Sequence, residues 1–319
     1  MEDFEQFEAV FAFNPDIAYD HQTVDHVLRN RRALENELFF DRLLKALGVS
    51  QASKLYPPRS NQDLRTLHGR IVSSASPDHH KQSLLYYILK DFPHSSQVAE
   101  GFAKDCFLPS KYWFFIDGLW FLDRLRFEKA LDHLTEPALV PTFPQEILYT
   151  LCRHAPKDNA TLPLAYFYTV SPSITSNKAL EALFEVMCRA SITEAFYFSR
   201  AQGDLIHRTL MENLIGFIHS STAGDIRATR AMELSGLPLT EEEELWLEEY
   251  LLEGKGRTLP AAKDTLRARQ IVSGKLQDAL GNSKEFDGRK QQGTNWMALK
   301  GTLKQGSESR FDITAAGFS

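Results

Sequence analysis

Ten histidines and forty-two carboxylates provide raw material for chemistry, yet few of them fall at spacings that chemistry uses. His79 and His80 follow Asp78 directly. A helical metal site needs ligands three or four positions apart on one face, so the pair reads as a water-facing helix start capped by Asp78. No histidine is followed by Asp and no two Asp are adjacent, which removes the phosphohydrolase and magnesium-diphosphate signatures. Gly254, Lys255, Gly256 and Arg257 could suggest a phosphate cradle, but the long Gly-to-Gly-Lys spacing and the preceding strand are missing. A helix end with a basic turn fits better. Glu241 to Glu244 reads as a solvated acidic run at a helix start, where carboxylates suit the macrodipole. Arg124 and Arg126 beside Asp123 could be buried ion pairing or a binding patch, and packing of long cationic stems over apolar surface is the favoured reading. Nucleophile, base and oxyanion donor nowhere come together, so no enzyme activity, cofactor, metal or small-molecule substrate is expected.

The elements around these residues are helices. Apolar residues recur at steps of three and four and never alternate over a strand-length run. Phe40, Leu43, Leu44 and Leu47 form one stripe closed by Gly48, and Leu85, Ile88, Leu89 and Phe92 form another that stops before Pro93. Leu180, Leu183, Phe184 and Met187 repeat the spacing, as do Leu210, Leu214, Phe217 and Ile218. Thr240 and Glu243 make a capping box ahead of a helix carrying Leu245, Trp246 and Leu251. Prolines punctuate the stripes, and no fixed period repeats. The expected fold is therefore all-α, an irregular, elongated, monomeric α-solenoid of about a dozen short helices over residues 1–282, followed by an extended carboxyl-terminal tail at 283–319. Tyr112, Trp113, Phe114, Phe115, Trp120 and Phe121 are expected to supply the main core contacts, with part of that set left as an exposed apolar groove.

Composition limits the partners. No stretch approaches the length of apolar sequence that a membrane span requires, so no membrane insertion is expected. The opening Met1, Glu2, Asp3 is acidic where a leader would be basic. Cys106, Cys152 and Cys188 are odd in number, far apart and set in apolar surroundings, as reduced core thiols are. The net charge of −6 is unevenly spread: residues 255–319 hold twelve Lys or Arg against six Asp or Glu, leaving −12 on residues 1–254. An acidic body ending in a basic stretch is a partner-facing pattern. Within the tail, Phe286, Trp296, Leu299 and Leu303 are isolated apolar anchors among Arg289, Lys290 and further lysines, in a background too polar to fold alone. The expectation is a segment that orders on a partner, with Phe286, Arg289, Lys290, Trp296, Leu299 and Leu303 as contacts; the alternative is that Trp296 folds back to cap the helical domain.

Several long segments also resemble a known family. NRRALENELFFDRLL (Asn30 to Leu44), LYPPRSNQDLRTLH (Leu55 to His68), DHHKQSLLYYILKDF (Asp78 to Phe92), the run Asp117 to Leu148, CRASITEAFYFSR (Cys188 to Arg200) and GRKQQGTNW (Gly288 to Trp296) are similar to the ELYS-like domain of fungal nuclear-pore assembly proteins. The resemblance implies a structural nucleoporin at the nuclear pore of the nuclear envelope. It further implies docking on the short-arm region of the Y-shaped outer-ring complex and support of pore assembly. Animal members carry an amino-terminal β-propeller, of which this sequence shows no strand repeats, and AT-hook elements. Gly288, Arg289 and Lys290 are similar to the basic core of such a hook but lack its Arg-Gly-Arg-Pro sequence, which leaves at most a weak chromatin contact. Two other classes stay open: a nucleic-acid or chromatin-binding module using the basic carboxyl-terminal region, whose binding would weaken steeply with salt, and a helical enzyme with a convergent polar pocket.

Overall fold

The computed structural model describes residues 4–11, 19–92, 95–137, 139, 141–222 and 224–275. Every regular element among the described residues is helical: seventeen α-helices and one short 3-10 helix, more and shorter pieces than the apolar stripes suggest. They divide into two compact units, one through Ala190 and one from Ser191. The expected boundary at 282/283 and the tail 283–319 lie outside the described residues.

The first unit contains α1 (Phe7–Phe11), α2 (His21–Ala33), α3 (Phe39–Ala46), α4 (Ala52–Leu55), α5 (Asn61–Val72) and α6 (Asp78–Leu89). It continues with α7 (Ser95–Asp105), α8 (Ser110–Asp123), α9 (Phe127–Leu134), α10 (Pro144–His154), α11 (Thr161–Val170) and α12 (Asn177–Ala190). Local chemistry starts these helices. Asp20 caps α2 by accepting the Thr23 N–H at 2.6 Å, and Ser60 caps α5 by accepting the Asp63 N–H at 3.1 Å. At α6 the expected cap shifts by one: Pro77 holds the cap position and Asp78 is the first helical residue, where its carboxylate still meets the positive end of the helix. Leu84 to Leu89 are all buried, and a helix apolar on every side belongs in the centre of a core. Around α6 pack α3, α5, α7 and α8.

The aromatic segment is less central to the core than expected, though part of it is left outward as its surplus of rings implies. In α8 the buried line is Ile116, Leu119 and Leu122, whereas Tyr112, Trp113, Phe115, Trp120 and Phe121 are half-buried and Phe114 is 41% exposed. A helix presents one stripe to its core, and here the aliphatic positions take it; α9 also packs closely on α8. A Cβ on Gly118 would lie 2.5 Å from Leu134 Cγ, so glycine is what permits that approach.

The second unit contains α13 (Ile192–Arg200), α14 (Asp204–Ser220), α15 (Asp225–Gly236), α16 (Glu241–Leu252), the 3-10 helix Lys255–Thr258 and α17 (Ala262–Val272). Leu210, Leu214 and Ile218 of α14 are buried as their spacing requires, together with Phe196, Leu234, Leu247 and Leu251. The capping box at α16 forms: Thr240 Oγ1 accepts the Glu243 N–H at 3.3 Å, and the Glu243 carboxylate accepts the Thr240 N–H at 2.7 Å. After α16 the Gly254 N–H donates to the Glu249 carbonyl at 2.8 Å, and Lys255 and Arg257 fall in the 3-10 turn. Cys106, Cys152 and Cys188 are buried and outside any disulfide. Among the described residues, no helix is long and apolar enough to cross a membrane and no His, Cys, Asp and Glu cluster has the makings of a metal site.

Candidate docking surfaces

Two buried carboxylates set the position of α8. Asp91, just after α6, has no exposed side-chain surface and takes four donors: the Tyr19 hydroxyl at 2.7 Å, the Tyr56 hydroxyl at 2.5 Å, Trp120 Nε1 at 2.7 Å and the Arg124 guanidinium. Asp123, at the end of α8, accepts the Phe39 N–H at 2.7 Å, the Phe40 N–H at 3.0 Å and the Tyr87 hydroxyl at 2.7 Å. It thereby caps α3 from a distant part of the chain. Burial pushes the Asp123 carboxyl up to about 7, against the pull of those three donors. Burial and the neighbouring carboxylates drive the Tyr19, Tyr56 and Tyr87 hydroxyls well above their ordinary range. Arg31 adds a bidentate pair to Asp41 at 2.8 and 2.9 Å and donates to the Tyr56 carbonyl at 2.9 Å. Both aspartates are saturated with donors and sealed from water, so neither offers a base to a substrate; together they form a rigid keel.

The rings outside that keel form a surface. Trp113 and Phe114 stack at 5.4 Å, and Phe121 packs 5.3 Å from His133 of α9. Lys90 Nζ lies 5.0 Å from the Trp120 ring and 5.2 Å from the Phe121 ring while it pairs with Asp117. A groove of about 420 Å³ on the first unit is lined by Leu43, Leu47, His80, Leu84, Tyr112 and Phe115. Its wall is mainly apolar, with Ser83, Lys111 and Thr142 also lining it, and it suits an apolar side chain.

In the second unit the acidic run Glu241 to Glu244 is not the solvated face its sequence suggests. Glu243 is 1% exposed and holds Arg200 in a fork at 2.6 and 2.7 Å, with His207 Nε2 at 3.2 Å. Burial raises its pKa, but Arg200, the Thr240 N–H and His207 outweigh this and hold the carboxyl below its usual range. Glu244 accepts from Arg269 of α17 at 2.6 and 2.8 Å. Half of the run therefore joins α13 and α17 to α16. What faces outward on α16 includes Leu245, 64% exposed, and Leu252, 51% exposed.

The sequence-derived contacts Phe286, Arg289, Lys290, Trp296, Leu299 and Leu303 all lie outside the described residues, so the surfaces above come from the helical units instead. Comparison with known proteins gives these surfaces a context. The sequence profile of the ELYS family, described as nuclear pore complex assembly, matches residues 37–254. The chain belongs to the ELYS family. A relative from Schizosaccharomyces pombe (strain 972), named uncharacterized protein ely5, is 30% identical over 286 residues, covering 88% of this chain and 90% of its own. ELYS membership implies a role in nuclear pore complex assembly at the nuclear envelope, in a family that is structural rather than enzymatic. The matched ELYS region holds both the Asp91–Asp123 keel with the α8 surface and the whole of α16.

Proposed function

We propose that this ELYS-family chain docks on the short-arm region of the Y-shaped outer-ring complex and supports nuclear pore assembly as a scaffold. The observation that carries the proposal is the family match over most of the two helical units. A body braced by buried polar clusters, with apolar side chains left outward on α8 and α16, is suited to holding partner helices. The proposed contacts in the tail are Phe286, Arg289, Lys290, Trp296, Leu299 and Leu303, with Trp296 as the dominant anchor because truncating a buried interface tryptophan typically costs about 2 kcal/mol or more.

The test is binding of the full chain to reconstituted Y-complex, comparing wild type with Trp296→Ala and with Trp113→Ala/Phe114→Ala. A loss of affinity on Trp296→Ala, with melting temperature unchanged, supports the tail as the docking element. Affinity intact for Trp296→Ala but lost for the α8 pair moves the docking surface to the helical body. Absence of wild-type binding to the complex refutes the proposal.

A further inference from the structure

We infer that the outer face of α16 is a docking surface for a basic apolar helix, and that its occupant in the free protein is residues 296–304 of the same chain. The inference concerns the free chain and stands whether or not the same tail residues later meet the Y-complex.

The surface follows from helix geometry. Leu245 and Leu252 are two turns apart on one line along α16, with Glu241 and Glu248 to one side and Glu242 and Glu249 to the other. The opposite side of the helix is the buried one, carrying Glu243, Leu247 and Leu251. Both leucines are more than half exposed. Of the flanking carboxylates, Glu249 pairs with Arg208 at 3.0 Å, while Glu241, Glu242 and Glu248 have no ion pair among the described residues. Two exposed leucines between rows of glutamates call for apolar side chains flanked by cations, because a neutral apolar partner would leave the carboxylates uncompensated and a purely basic one would leave the leucines wet.

The chain itself carries that complement. Residues 288–307 hold four Lys or Arg and no Asp or Glu. Within them Trp296, Leu299 and Leu303 are spaced as one helical face, with Lys300 and Lys304 beside it. Gly293 and Gly301 lower the helix propensity of this sequence, so its apolar face calls for a surface to pack against. The geometry of departure is favourable. The chain leaves the described residues at Lys275, just after α17, and α17 packs on α16 through the Arg269–Glu244 pair. The stretch from Lys275 to Trp296 can reach on the order of 70 Å when extended, several times the ~18 Å length of α16. A tethered segment meets its surface at millimolar effective concentration, so a modest contact suffices.

The experiment is hydrogen exchange read by mass spectrometry on the full chain at low micromolar concentration. Peptides covering 294–305 are expected to exchange at least tenfold more slowly than an unstructured chain. Leu245→Lys/Leu252→Lys, two exposed positions, should abolish that protection while α13, α14 and α17 keep theirs. Lys300→Glu/Lys304→Glu should release the segment as well, and adding Glu241→Lys/Glu248→Lys should recover it. Exchange at the unstructured rate in wild type overturns the inference, as does protection that survives Leu245→Lys/Leu252→Lys. Protection that grows with protein concentration overturns it in favour of a second copy as the occupant.

Discussion

Asp91→Asn is the sharpest perturbation of the first unit, because it changes charge while preserving shape. Asp91 receives two tyrosine hydroxyls on Oδ2 and Trp120 Nε1 on Oδ1, and it neutralises Arg124, whose side chain is 9% exposed. An asparagine can keep one oxygen acceptor, but its amide group would face a donor wherever it points. Removing one partner of a buried ion pair costs about 3–5 kcal/mol, and the stranded donors put the expected loss in the upper part of that range. For a unit of this size, ~4 kcal/mol lowers the melting temperature by roughly 8–16 °C. Guanidinium unfolding followed by near-ultraviolet circular dichroism reads both the midpoint and the packing of the tyrosines. The partner variant Arg124→Met alone should be similarly destabilised, and the double variant Asp91→Asn/Arg124→Met should be less damaged than the sum of the two. A change under ~1 kcal/mol for Asp91→Asn, or strict additivity in the cycle, would refute the view that this carboxylate holds the keel.

Gly118→Ala should cost about 1–3 kcal/mol, since its Cβ would meet Leu134 at 2.5 Å in a closed α8–α9 contact; calorimetry showing stabilisation would count against that contact. Glu243→Gln should destabilise the second unit by about 2 kcal/mol through loss of the charge-assisted fork to Arg200, and a urea midpoint unchanged from wild type would mark the clamp as idle. His219 is buried, with Nδ1 3.0 Å from the Pro260 carbonyl, and burial lowers its pKa below the ordinary value of 6.5. The unfolded chain therefore binds the proton first, so the contribution of His219 is intact above about pH 6.5 and is lost as pH falls through the lowered native value. Melting temperatures at pH 7.5 and 5.5 should fall more steeply for wild type than for His219→Gln; equal slopes would contradict a buried neutral imidazole.

The helical character of the fold was legible because the i, i+3, i+4 stripes are plain, and Gly48 ends α3 at a positive φ of 79° as its position after the stripe implies. The capping box at Thr240 was legible for the same local reason. Less legible was the direction of each face. Six aromatic rings suggested a core, but burial in α8 went to Ile116, Leu119 and Leu122, because which faces of α8 meet other helices is a tertiary fact that no local pattern carries. The four glutamates of α16 look alike in sequence, and their partners Arg200 and Arg269 lie on other helices. Asp91 and Asp123 escaped notice as structural centres for a similar reason: their donors come from residues 19, 39, 40, 56, 87, 120 and 124, brought together by the fold. The one signal available was Asp123 standing in an apolar stretch beside Arg124, read as packing but without its role as the cap of α3.

Attachment to the outer-ring complex is what we propose for this ELYS-family chain. The direct measurement is the affinity of the full chain for reconstituted Y-complex, with and without the short-arm region, at rising salt. Saturable binding that requires the short arm, is reduced by Trp296→Ala and survives moderate salt is the predicted result. Binding that ignores removal of the short arm, or a chain that binds only DNA and does so with a steep salt dependence, would contradict it.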